Sequence, residues 1–139
     1  MKAPDFNLIN AQTNEFVSLS DYQGKPVMIT FWVSWCPDCQ KDLPKKTNFY
    51  QTMDHDALAF LTINVTGREA DAANGVEFMN NHELPFPVLK DNGTTTYDDY
   101  QCSGVPTTVI LDQQHNIFDS FGDKASFYEI IRSLSMVMK

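Results

Sequence analysis

The sequence predicts an α/β fold, a central mixed sheet with helices on both faces, preceded by an N-terminal β-hairpin and interrupted by an inserted helix. Three observations predict it. The run Val27 to Val33 is too continuously apolar for an edge strand with one wet face. Apolar runs alternate along the chain with segments of helical period. The C-terminal segment carries Phe127, Ile130, Ile131, Leu134 and Val137 at spacings of three and four, the stripe of a helix lying on a sheet.

Taken in order, the alternating residues Phe6 to Ile9 and Phe16 to Leu19 flank the turn-forming stretch Asn10 to Glu15 and predict the hairpin. Val27 to Val33, after Gly24-Lys25-Pro26, is the central strand. A helix follows at or just after Cys36, because Pro37 fits a first helical position, where its missing N–H costs nothing. This helix extends to about Thr52 and contains Pro44, which bends it without ending it. Leu58 to Val65 is the next strand. Between it and the apolar run Phe86 to Leu89, residues Arg68 to Glu83 place Ala72, Ala73, Val76 and Met79 at helical spacing, which predicts a crossover helix weakened by Gly75. Thr94 to Tyr100 predicts a short helix. Val105 to Leu111 is a strand that pairs with Asn116 to Phe121 through a turn at Asp112 to His115.

With 139 residues, 42 % of them apolar and 12 % aromatic, the chain can fill one core, and one domain over residues 1–139 is expected. Ten Lys and Arg against eighteen Asp and Glu give a formal charge of −8, which argues against nucleic acid and anionic lipid as principal partners. No run is long and apolar enough to span a bilayer, and no charged-then-apolar leader precedes the hairpin, so this stretch is expected to be soluble.

Three cysteines exclude a pure disulfide framework, and two of them stand close together in Trp35-Cys36-Pro37-Asp38-Cys39. With Cys36 at a helix N-terminus, its sulfur faces unpaired N–H groups and the positive end of the helix dipole, which favour a thiolate. Cys39, one turn further in, is shielded and suited to resolving a mixed disulfide formed at Cys36. Asp38 opposes thiolate formation. A zinc half-site is the competing reading of such a pair, but tetrahedral zinc needs about four ligands. The remaining candidates, Cys102, His55, His82 and His115, show no paired ligand spacing. Cys102 reads as a small core residue, Trp32 as core, Trp35 as a rim aromatic of a docking surface, and Lys41, Lys45 and Lys46 as a solvated helix face.

These residues resemble the thioredoxin superfamily and, within it, the TlpA/ResA-like (AhpC/TSA-related) thiol-disulfide oxidoreductases. The resemblance runs through Ala3-Pro4-Asp5-Phe6, the approach Leu19 to Pro26, the block Phe31 to Cys39, Pro44, Phe86 to Asp91, and Gly104-Val105-Pro106-Thr107-Thr108. It implies a thioredoxin-like fold and an enzyme of protein-disulfide reductase type, with Cys36 attacking and Cys39 resolving. It also implies a cis Val105–Pro106 peptide facing the cysteines, with Val105, Trp35 and Pro37 meeting the substrate. No cofactor is expected beyond the redox-active Cys36–Cys39 disulfide. The expected partners are proteins carrying disulfides or cysteine pairs and an upstream electron donor. The resemblance favours an extracytoplasmic setting, although a cytoplasmic reductase would look the same over this span.

The chain departs from the pattern at Thr30, where thioredoxins proper resemble one another in carrying a buried aspartate below the resolving cysteine. Glu69, in the place where ResA-like proteins carry a glutamate, is the candidate substitute proton acceptor. A solvated acid at a helix N-terminus is its other reading. Two further functions stay open: a thiol peroxidase, suggested by a resemblance of the Ala-Pro-Asp-Phe opening to that of peroxiredoxins although their peroxidatic motif, a Pro and Thr shortly before the cysteine, is absent around Cys36, and a metal-binding chaperone.

Overall fold

In the computed structural model, which describes residues 1–138, the apolar run after Pro26 becomes β3 (Val27–Trp32), every residue of which is buried. Its neighbours are β4 (Ala59–Asn64), parallel, and β6 (Thr107–Leu111), antiparallel. The hairpin β1 (Asn7–Asn10) and β2 (Phe16–Ser18) joins one side through β5 (Val88–Lys90), and β7 (Ile117–Phe121) closes the other. The seven strands run in the order β2-β1-β5-β4-β3-β6-β7. Parallel neighbours cannot be joined by a tight turn. The chain therefore crosses from β3 to β4 through α1 (Pro37–Thr52) and from β4 to β5 through α2 (Asn74–Asn81). Helix α3 (Thr95–Asp99) precedes β6, and α4 (Phe127–Val137) follows β7.

Side chains alternate across a strand, so β3 serves two layers. Phe31 points toward Tyr97 of α3 and toward Tyr100, at centroid distances of 6.4 and 5.6 Å. Trp32, on the opposite face, meets Phe78 of α2 at 5.6 Å. Thr30 shares that second face with Thr108, its register partner on β6, and Thr108 is hydrogen-bonded from α1. Helix α4 lies on the same side, since its Phe127 packs edge-on against Phe49 of α1 at 6.2 Å. Helices α1, α2 and α4 thus cover one face and α3 the other.

The hairpin, the central strand, the helix after Cys36, the C-terminal helix and the β6–β7 pair lie where the sequence predicts them. The crossover helix is shorter than predicted: Thr66–Arg68 form a 3-10 turn, and α2 starts only at Asn74. Gly75 is the reason that helix can sit where it does. A Cβ at this position would lie 2.0 Å from Oδ1 of Asn64, a buried side chain held through Nδ2 by the Trp32 carbonyl and by Glu69. Gly75→Ala is therefore expected to cost about 1–3 kcal/mol through forced displacement of packed groups, read as a lowered urea midpoint with unchanged slope.

Candidate active site

The site begins where β3 leaves the sheet. Four residues beyond its end the backbone of Cys36 is extended (φ −81°, ψ 121°), which makes Cys36 the N-cap of α1 and leaves Pro37 at the first helical position. The Cys36 sulfur accepts the Cys39 backbone N–H at 3.3 Å, so one of the orphan donors of the first turn is spent on it. Both sulfurs are free thiols. Cys36 retains 6 % of its surface and Cys39 none. Burial pushes the Cys39 thiol well above the ordinary cysteine range; the Val33 backbone acts against that rise, while Cys36 and Asp42 add to it.

The loop before β6 closes the other side. Its Val105–Pro106 peptide is cis, and the Cys36 Sγ lies 3.6 Å from the Val105 carbonyl, toward which an S–H would donate. Pro106 is buried and Val105 half-buried. Trp35 is 54 % exposed beside the nucleophile, and its indole N–H donates to the Arg68 carbonyl at 2.9 Å. Trp32, by contrast, is fully buried. Of the residues singled out in the sequence, Cys36, Cys39, Pro37, Trp35, Val105 and Pro106 meet at this junction.

Glu69 also reaches it, from the turn after β4. Its carboxylate accepts from the Ser34 N–H at 2.8 Å, the Ser34 hydroxyl at 2.6 Å and Asn64 Nδ2 at 2.8 Å. The acid is therefore half-buried and fully engaged, on the residue that precedes Trp35 and Cys36. It does not start a helix, because α2 begins five residues later.

Lysine 46 departs from the reading of a solvated face. Its side chain is fully buried, and Nζ donates to Asp42 Oδ2 and Thr108 Oγ1, both at 2.6 Å. Burial pulls the ammonium below the ordinary lysine range, while Asp42 and Cys39 act to restore it. Thr30, in the strand beside Thr108, is fully buried with its hydroxyl unpaired. Cys102 is only partly buried and packs against the core, where burial pushes its thiol up to about 12. His115, assigned no role from sequence, is buried and directs Nε2 at the Tyr22 and Lys25 carbonyls at 3.0 and 3.1 Å, an arrangement that fastens the approach to β3. Among the described residues, no three His, Cys, Asp or Glu side chains gather as metal ligands, and no helix is long and apolar enough to cross a membrane.

A model of the AhpC/TSA family matches residues 1–120. The chain belongs to the AhpC/TSA family. Among the chain's relatives, the thioredoxin-like protein YneN of Bacillus subtilis is 35 % identical over 118 residues, covering 85 % of this chain and 68 % of that protein. The thiol-disulfide oxidoreductase ResA of the same organism is 29 % identical over 115 residues, covering 83 % of this chain and 62 % of that protein. The chain spans about two thirds of the length of these curated relatives. The exposed lipoprotein thioredoxin Etrx1 of Streptococcus pneumoniae superposes with a TM-score of 0.86 at 25 % identity, over 96 % of this chain and 99 % of that one. StoA of Bacillus subtilis shares the fold, with a TM-score of 0.80 at 23 % identity over 94 % of this chain and 96 % of that one. The fold is thioredoxin-like, and the chain is a thiol-disulfide oxidoreductase of the ResA-like kind.

Proposed function

We propose that the chain reduces or exchanges disulfides in protein substrates through the Cys36-Pro37-Asp38-Cys39 couple, with no cofactor other than that couple. The observation that carries this reading is the position of the Cys36 sulfur, at the N-cap of α1 and 3.6 Å from the Val105 carbonyl on the opposing loop. An extended substrate segment pairing with the Val105 backbone as an added strand brings a disulfide to that sulfur. The exposed face of Trp35 and the Pro37 ring supply apolar contact on either side.

The Cys36 thiolate attacks one substrate sulfur, the substrate S–S bond breaks, and the other sulfur leaves as a thiolate that takes a proton from water. Cys39, having lost its own proton, then attacks Cys36 Sγ. The Cys36–substrate bond breaks, the second substrate thiol is released, and the chain holds the Cys36–Cys39 disulfide. Two electrons have passed to the substrate, and an external dithiol donor returns them.

The Cys39→Ser variant stops this sequence after the first step. Incubated with insulin, it is expected to form a covalent adduct through Cys36 that dithiothreitol releases. An adduct with glutathione disulfide but none with insulin would restrict the activity to small disulfides and overturn the assignment of protein substrates.

A further inference from the structure

Cys39, Asp42 and Lys46 stand at positions i, i+3 and i+7 of α1, one stripe of the helix. The stripe faces the sheet, since Cys39, Leu43 and Lys46 are all buried. An ammonium in such a place loses its hydration, and an apolar side chain of similar volume would commonly be as stable or more so. Here the charge is nevertheless held by two short contacts, to Asp42 on its own helix and to Thr108 on β6. The Thr30 hydroxyl, on the same face in the register position beside Thr108, has no partner, so the core beneath the resolving cysteine is polar on two adjacent strands.

A cleft of about 140 Å³ opens onto this arrangement, lined among others by Asp42, Lys45, Pro106 and Thr108. Both partners of the Lys46 ammonium therefore border solvent-accessible space, while the ammonium does not. The charged and titratable groups around it are Cys39 and Asp42 on α1, with Asp38, Lys41 and Lys45 further along the cleft. Asp123 lines the same cleft. Thr30 and Thr108 stand on this face of β3 and β6, Asp119 of β7 lies further along the same face bonded from Ser133 of α4, and α4 brings Phe127 and Ile130.

We propose that Lys46 is a positioning residue for the resolving step: a buried ammonium, fixed by Asp42 and Thr108, that supplies the counter-charge for the Cys39 thiolate. This rests on the reading of Cys36 as attacking and Cys39 as resolving thiol. In that step Cys39 gives its proton, by way of the Asp42 carboxylate, to water in the cleft. The thiolate left behind forms the bond to Cys36 Sγ as the Cys36–substrate bond breaks. A thiol whose ionisation is opposed by burial and by the nearby carboxylate gains most from a fixed cation. Cys39 in turn is among the groups that act to hold the Lys46 ammonium charged.

The two steps separate in one experiment with 5,5′-dithiobis(2-nitrobenzoate), run in a Cys102→Ala background so that only the two helix thiols react. The first release of thionitrobenzoate reports attack by Cys36 and the second reports resolution by Cys39. In Lys46→Met the pH midpoint of the second phase is expected to rise by about one unit, with an approximately tenfold lower rate at pH 7. The first phase is expected to remain unchanged. Thr108→Val, which removes one contact and no charge, is expected to move the second phase in the same direction by about threefold, and it decides the matter if Lys46→Met does not fold. Midpoints equal to that of the parent in the folded variants would overturn the role of Lys46 and leave the thiol assignments intact. A parent protein that released no second thionitrobenzoate would instead overturn the assignment of Cys39.

Discussion

Replacing Cys36 with Ser is expected to lower the rate of insulin reduction at saturating dithiothreitol on the order of 10³-fold or more, to the background of dithiothreitol alone. The reason is chemical before it is structural. The attacking group must be a good nucleophile at neutral pH, and a serine hydroxyl in the same place has no neighbouring base to activate it. Cys39 cannot take over the attack, because its side chain has no exposed surface and burial holds its proton in place. The fold should survive the change. Ser is a good N-cap residue, and its oxygen would accept the Cys39 N–H that the Cys36 sulfur accepts now. Circular dichroism and a urea midpoint close to those of the parent, alongside lost turnover, are the expected pair of results. Retained turnover in Cys36→Ser would show that another thiol attacks the substrate.

The parts of the fold legible in the sequence are those set by short-range periodicity. Continuous burial made β3 readable as a central strand, and Pro37 marked the first turn of α1 because proline loses nothing there. Contacts made at long range were not legible in the same way. Glu69 and Ser34 are 35 residues apart, and nothing in either segment announces that the carboxylate will hold both donors of that serine. Gly75 looked like a weak point in a helix, yet its missing side chain makes room for Asn64. Lys46 is an intermediate case. Its spacing of seven from Cys39 and three from Leu43 places it on the buried stripe, but the usual solubility of lysine outweighed the periodicity. Asp42, four residues earlier, was the signal that this lysine had an internal partner.

Glu69→Ala is expected to destabilise the protein by about 2–4 kcal/mol, roughly 10 °C in Tm. The carboxylate accepts three hydrogen bonds, and their loss leaves the Ser34 N–H and hydroxyl and the Asn64 amide to find water in a half-buried site. Bonds to a charged acceptor are each worth more than neutral ones, so Glu69→Gln, which keeps the shape and one acceptor, should cost about half as much. The same substitution separates the two roles available to this residue. As a clamp on the loop entering Trp35-Cys36, Glu69 acts through geometry. Glu69→Gln should then lower stability and slow the first thionitrobenzoate release while leaving the pH midpoint of the second unchanged. As a proton acceptor for Cys39 it would act through its charge, and the same variant would move the second midpoint upward with little change in the first phase. With its oxygens engaged by Ser34 and Asn64, the clamp is the outcome the geometry favours, which leaves the Asp42–Lys46 pair as the polar group behind Cys39.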